Sequence, residues 1–261
     1  MDKKTVSRDG TFLAYHRTGQ GPVVVLVSGA MSTGATLAPL AAALSDRCEA
    51  VVYDRRGRGG SGDTAPYAVE REVEDLAAVI DAVGGEAALY GVSSGGALAL
   101  RAAASGLPVR QVAVYEPPFA VYEGGERERA EYTANLTRAL DEGRRGDAVE
   151  LFLRLTGLAP GVIASARQSP MWRGMESIAP TLAYDNAVMG DGLLPRDLLA
   201  SIDVPVLALA GEASPGWLAE AARQVARTVP RGTFRLLEGQ THAVEPEVLA
   251  PVLAEFFTSE A

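Results

Sequence analysis

The residues best suited to chemistry are a serine between two glycines and a histidine near the end of the chain. Ser93 stands in Tyr90-Gly91-Val92-Ser93-Ser94-Gly95-Gly96, after the apolar run 87–89 and before the helix-forming run 97–104. Strand, sharp turn and helix around G-x-S-x-G is the setting of a nucleophile elbow. The turn is so tight that side chains two positions either side of the serine would collide, so Gly91 and Gly95 sit there. The Ser93 hydroxyl is thereby lifted clear. Ser94 fails as nucleophile, because it would need a small residue at position 92, where valine stands. The bland alternative is a strand-to-helix turn with incidental glycines. The chain has two histidines. His16 falls in an N-terminal hairpin, expected at the sheet edge and on the surface. His242 comes after the last strand-like run, where a general base could reach Ser93. A neutral imidazole near pH 7 can take the serine proton and return it to a leaving group. Its bland alternative is a solvated loop histidine.

The elements that must position these two are legible as an alternation. With 261 residues, 48% of them hydrophobic, the chain supports one large α/β domain or one domain with an insertion. Residues 5–17 read as a hairpin about Asp9-Gly10. The run 22–27 is continuously apolar and β-branched, as a central strand buried on both faces should be. Next come a small-residue loop, a helix at 37–44, a second buried strand at 48–53 and a glycine-rich loop over 54–62. Val69, Val73, Leu76, Ile80 and Val83 mark one helical face. After the elbow, a strand at 111–115 is stopped by Glu116-Pro117-Pro118. This alternation means a doubly wound, mostly parallel sheet. From 119 to 199 no strand is evident. Helices are expected near 126–142, 147–155, 162–168 and 172–189, as an insertion covering the sheet. The sheet resumes at 204–210 and 233–237, with helices at 217–228 and 246–257.

Composition narrows the function. The net charge of −9 disfavours nucleic acid and anionic membranes as partners. No apolar run approaches the roughly 20 residues of a membrane span. Met1-Asp2-Lys3-Lys4-Thr5 has no apolar leader region. The single cysteine, Cys48, reads as a buried core thiol, and the cytoplasm is the expected location. Gly57-Arg58-Gly59-Gly60-Ser61-Gly62 lacks the Gly-Lys-Ser/Thr ending of a phosphate loop. Two distant histidines and one cysteine offer no metal-binding spacing. A small-molecule substrate, with no cofactor and no metal, is the expectation.

In open α/β sheets, ligands bind beyond the carboxyl ends of the strands. The segments at those ends are Ser28-Gly29-Ala30-Met31, the arginine-glycine loop, Ser93, Glu116, Gly211-Glu212-Ala213-Ser214 and Gly239-Gln240-Thr241-His242. A serine, a histidine and at least one carboxylate thus share one face, and serine, acid, histidine is the chain order of α/β-hydrolases. On the elbow, the Asp54-Arg55-Arg56-Gly57-Arg58-Gly59-Gly60-Ser61 loop and the terminal Gly239-Gln240-Thr241-His242, the chain resembles the α/β-hydrolase superfamily over essentially its whole length. Within it, the chain is similar to small bacterial capped hydrolases with a Tyr-Glu-Pro-Pro segment after the sixth strand. It also resembles zearalenone-type lactonases, where the acid follows that strand.

The resemblance implies a sheet of about eight strands, a core of residues 1–118 and 200–261, and a helical cap of 119–199. It implies Ser93 as nucleophile, His242 as base, and the backbone N–H groups of Ala30 and Ser94 as the oxyanion hole. Ser28-Gly29 replaces the His-Gly that opens this loop in many members, a change that backbone donors tolerate. The usual acid position, three residues past the glycine ending the seventh strand, holds Ser214. Glu116, at the alternative acid position, is preferred to Glu212, which is in the right loop but the wrong phase. A Ser93–His242 dyad is the third possibility. Arg55, Arg56 and Arg58 are expected to pair with nearby carboxylates or carbonyls rather than to attract an anionic substrate. Met31, with Met171, Trp172, Met175, Tyr184 and Met189 of the cap, forms a candidate apolar pocket, against the alternative of cap helices packing on each other. The implied activity is hydrolysis of a small hydrophobic carboxylic ester or lactone. The rivals are a lyase, acyltransferase or cofactor-free perhydrolase on the same scaffold, or a non-catalytic ligand-binding member.

Overall fold

The hairpin at the start of the chain sets one end of the sheet. β1 (Lys3–Val6) and β2 (Phe12–Thr18) pair antiparallel about Asp9-Gly10, where Gly10 adopts φ +87°. The computed structural model describes residues 3–259. Met1 and Asp2, which open the N-terminal stretch, lie outside the described residues, as do Glu260 and Ala261 at the end of the expected core.

The apolar runs become β3 (Val23–Val27), β4 (Glu49–Tyr53), β5 (Ala87–Val92), β6 (Val109–Tyr115), β7 (Val206–Gly211) and β8 (Gly232–Leu237). The eight strands lie in the order β1-β2-β4-β3-β5-β6-β7-β8. β2 meets β4 antiparallel, and every later pairing is parallel. His16 is exposed, but β2 is flanked on both sides, so the edge position expected for it belongs to β1 instead.

Alternate residues of each central strand serve opposite layers. Val25, Val27, Leu89, Val112 and Val114 pack with α2 (Val69–Ala82), α3 (Ser94–Ala104) and α10 (Gly216–Thr228). Val24, Leu26, Ala88, Tyr90 and Tyr115 pack with α1 (Ala38–Leu44) and α11 (Pro246–Thr258). Coverage on both faces is why these strands read as unbroken apolar runs.

Between β6 and β7 come α4 (Gly125–Asp141), α5 (Arg145–Leu155), α6 (Pro160–Arg167), α7 (Trp172–Ile178), α8 (Leu182–Met189) and α9 (Arg196–Ala200). The single helix expected over 172–189 is two helices joined by a 3-10 turn, Ala179–Thr181. Pro180 has no N–H to donate, and its ring would meet the carbonyl of Glu176 in a continuous helix. Tyr132, Leu136, Val149, Trp172 and Leu182 build a core of their own. Phe119, Val188, Met189 and Leu199, by contrast, pack into the main core. Both ends of the inserted segment are therefore stitched into the sheet layer. Among the described residues, no helix is long and apolar enough to cross a membrane.

Candidate active site

β5 ends at Val92 and α3 begins at Ser94, so a single residue, Ser93, makes the whole turn. It does so at φ +55°, ψ −128°. Both flanking glycines are required by contact. A Cβ on Gly91 would overlap the Gly95 carbonyl, and one on Gly95 would overlap the carbonyls of Val27 and Ser28 at the end of β3. The second glycine thus answers to the neighbouring strand rather than to the turn itself. Ser93 N–H donates to Tyr115 O at 2.9 Å, which fixes the elbow against the end of β6.

The next residue of β6 is Glu116. Its side chain has no solvent exposure, and its φ is +46°. Glu116 Oε1 accepts Gly211 N–H at 2.8 Å, and Oε2 lies 2.6 Å from His242 Nδ1. A carboxylate at Nδ1 fixes the tautomer with its proton there, leaving Nε2 as the basic nitrogen. The His242 side chain is 45% exposed. Its loop is held from below by Tyr115 Oη, which donates to Thr241 O at 2.6 Å. Glu212 is elsewhere: it is exposed and accepts Gly239 N–H at 3.1 Å. Ser214 stands at the common acid position, and its buried hydroxyl makes no hydrogen bond to His242.

Among the described residues, the non-glycine positions with positive φ are Met31, Ser93 and Glu116. All three come after the carboxyl ends of adjacent strands β3, β5 and β6. Backbone held in such sparsely populated conformations gathers at functional sites.

The loop 28–31 lies against the Ser93 turn. A Cβ on Gly29 would come within 3.1 Å of Ser93 Cβ and of Val92 O. Ser94 is the first residue of α3, so its N–H has no acceptor within the helix. The helix dipole adds partial positive charge at that point.

The three arginines are all held by carboxylates, although Arg58 Nε itself makes no hydrogen bond. Arg55 meets Glu72 in a bidentate pair, both bonds 2.7 Å, and donates to Asp185 Oδ1 at 2.7 Å. Arg56 pairs with Asp75 and Asp9. Arg58 donates to Asp185 Oδ2 at 2.7 Å. All three are buried, so they are fixtures of the fold and not a landing site for an anion. Burial alone would raise the Asp185 carboxyl, but the charges of Arg58 and Arg55 and the Ser94 hydroxyl outweigh it and hold Asp185 below the ordinary carboxylate range. Arg58 moves down for its part, since burial costs the cation more than Asp185 returns. Asp185 lies about 130 residues from the loop it serves, and nothing local in the sequence marks it.

The expected apolar pocket is only partly assembled. Met171 is 75% exposed, and Trp172 is buried inside the core that the inserted helices build of their own. Tyr184 stacks on Tyr67 with ring centroids 3.9 Å apart, and its hydroxyl donates to Asp63 at 2.7 Å. Met189 belongs to the main core. Trp172, Tyr184 and Met189 are occupied by packing and Met171 faces solvent, which corrects their reading as a pocket roof. Ala30, Met31 and Met175, half-buried, each pack against the core of the inserted helices. Among the described residues, no group of three or more His, Cys, Asp or Glu side chains gathers to hold a metal ion.

A model of the alpha/beta hydrolase family matches residues 24–252. A solved alpha/beta hydrolase from Sphaerobacter thermophilus shares 51% identity at a TM-score of 0.90, covering 98% of this chain and 100% of that one. The 2-(acetamidomethylene)succinate hydrolase of Mesorhizobium japonicum is 28% identical over 255 residues, 91% of this chain and 88% of that protein. The polyketide synthase ThaQ of Burkholderia thailandensis is 30% identical over 256 residues; these are 90% of this chain but only 12% of the synthase.

Proposed function

The chain belongs to the alpha/beta hydrolase family, and from that premise we propose that it hydrolyses a small carboxylic ester or lactone through an acyl-enzyme on Ser93. The observation that carries this reading is the 2.6 Å contact between Glu116 Oε2 and His242 Nδ1, beside a serine whose own N–H is bonded to the residue preceding Glu116. An imidazole with Nδ1 bound to a carboxylate presents Nε2 as a base, and the serine at the neighbouring strand end is the group it would deprotonate.

In this mechanism Ser93 Oγ attacks the carbonyl carbon while His242 Nε2 accepts the hydroxyl proton. The oxyanion that forms is met by the N–H groups of Ala30 and Ser94, each such donor being worth about 10²–10³ in rate. His242 then protonates the leaving alkoxide, and the C–O bond breaks to leave the acyl-enzyme. For a lactone, the alkoxide stays tethered to the acyl group. Water, deprotonated by His242, attacks the ester of Ser93 and releases the acid. Glu116 stays ionised throughout and stabilises the imidazolium. Every step uses side chains, backbone N–H groups and water. The buried free thiol of Cys48 suits a reducing compartment such as the cytoplasm.

The test is labelling with a fluorophosphonate probe, which reports an activated serine. Wild type should label and Ser93→Ala should not, with p-nitrophenyl ester turnover lost in parallel. Wild-type protein that fails to label, or Ser93→Ala that turns over esters like wild type, would overturn the reading.

A further inference from the structure

One carboxylate of the cap is bonded towards both backbone donors of the oxyanion hole. Asp185 on α8 accepts the Ser94 hydroxyl on Oδ1 at 2.8 Å. The same oxygen accepts Arg55 Nη1, and Oδ2 accepts Arg58 Nη2, each at 2.7 Å. The two arginines then reach the other half of the site. Arg58 Nη1 donates to Gly29 O at 2.7 Å, and Arg55 Nη1 donates to Ser28 O at 3.2 Å.

The Gly29 contact decides where the Ala30 N–H points. Gly29 C=O and Ala30 N–H are opposite edges of one planar trans peptide, so gripping the carbonyl aims the N–H the other way. Arg58 holds that carbonyl and is itself held by Asp185. Ser32 Oγ donates to the same carbonyl at 2.7 Å, so the plane is fixed from two sides. On the other side of the hole, the Ser94 side chain pins the first residue of α3, whose N–H is the second donor.

We propose that Asp185 is a positioning residue that couples docking of the cap to assembly of the oxyanion hole. The cap is anchored independently of it. Tyr184 stacks on Tyr67 and bonds Asp63, and Arg101 Nε donates to Val188 O at 2.8 Å. Attachment alone therefore leaves the Ser94–Asp185 bond without a purpose. The charges also balance. Arg55 and Arg58 face Glu72 and Asp185, so a neutral four-member cluster is buried with its ions paired, as burial demands. A cap lifted from the sheet would strip Asp185 from the cluster, free Arg58 from its anchor and release both donors together.

The proposal rests on the serine-hydrolase reading, and the test separates the two. Ser94→Ala keeps the backbone N–H and every charge but removes the bond to Asp185. It should lower kcat on p-nitrophenyl acetate, and the rate of fluorophosphonate labelling, by about tenfold, because small misplacement of a preorganised donor is costly. KM and Tm should stay close to wild type, as expected when an interaction made in the transition state is lost. Ser94→Thr, which keeps the hydroxyl, should recover most of the rate. Asp185→Asn should lose more than Ser94→Ala, and adding Ser94→Ala to it should cost little further. Wild-type kcat in Ser94→Ala, with Ser93→Ala inactive, overturns the positioning role alone. Ester turnover surviving in Ser93→Ala overturns the hydrolase reading and this proposal with it. A uniform fall in Tm that accounts for the lost activity of Ser94→Ala would make the bond structural and also overturn the proposal.

Discussion

The ends of β6 and β7 lie side by side, and each delivers a glutamate to the loops above the sheet. Glu116 is buried, sits at φ +46° and has both oxygens engaged, one by Gly211 N–H and one by His242. Glu212 is exposed and accepts one bond, from Gly239 N–H. The difference lies in backbone conformation and in the neighbouring strand end, since Glu116 at φ +46° meets Gly211 N–H. Each glutamate is the first residue past its strand, and each N–H still bonds the next strand, Glu116 to Leu209 O at 3.0 Å and Glu212 to Leu237 O at 2.9 Å, so the ladder does not separate them. On β7 the last residue is Gly211. A Cβ there would overlap Gln240 O and come within 2.7 Å of Tyr115 Oη. One strand end supplies the buried carboxylate, and its neighbour supplies the N–H that holds it and a glycine that lets Gln240 O approach. Glu212, at the equivalent step past its strand but without the positive φ of Glu116, leaves towards solvent.

The largest effect expected from this contrast is in activity. Glu116→Gln keeps the shape but loses the charge that stabilises imidazolium and the acceptor that fixes the tautomer. A fall in kcat of about 10⁴ is the scale for such a change in a hydrolytic triad. Glu212→Gln should stay within about twofold, since an exposed side chain away from such features is nearly neutral. Equal losses in the two variants, measured as kcat on a p-nitrophenyl ester, would erase the distinction between the strand ends. Gly211→Ala comes next. It forces a methyl into the Gln240 carbonyl, so the His242 loop must shift, and displacements near 1 Å cost about 10²-fold. Gly239→Ala is the control, because its Cβ would meet nothing and only its φ of +67° is strained. That change should cost about 1 kcal/mol of stability and little activity. A well-folded Gly211→Ala with full activity would mean that the close approach of Gln240 O to β7 is not needed.

The sequence carries the sheet and the elbow because both are local. Alternating apolar runs, the paired glycines about Ser93 and a lone histidine past the last strand each lie within a few residues. The features it does not carry depend on backbone conformation or on distance. Glu116 turns inward at a left-handed backbone position and meets the Gly211 N–H, and propensity shows neither. Asp185 meets Arg55 and Arg58 across the inserted helices, and those pairs have no spacing to read. Composition misled over the inserted helices, where Met171, Trp172 and Tyr184 look like a pocket lining. Trp172 instead fills those helices' own core, Tyr184 is taken by Tyr67 and Asp63, and Met171 lies in solvent. Large apolar side chains serve packing first, and a pocket is lined by whichever of them the packing leaves over.

The smallest of the expected effects tests how far the β6 end governs His242 beyond the acid. Tyr115 is the residue before Glu116, and its hydroxyl donates to Thr241 O at 2.6 Å, one residue before the histidine. The ring lies 6.5 Å from the imidazole, centroid to centroid. Phenylalanine would keep the ring and its packing while leaving the Thr241 carbonyl without this donor. An unmade hydrogen bond of this kind costs about 1–3 kcal/mol. Part of that should appear as lower Tm and part as a looser His242. Tyr115→Phe should therefore lower kcat by about fivefold while leaving KM unchanged. The loss should be absent in a Glu116→Gln background, where His242 is no longer oriented by the carboxylate and a tighter loop gains nothing. If the two changes multiply instead, Tyr115 acts on the site by a route other than His242, and the β6 end does two separate jobs.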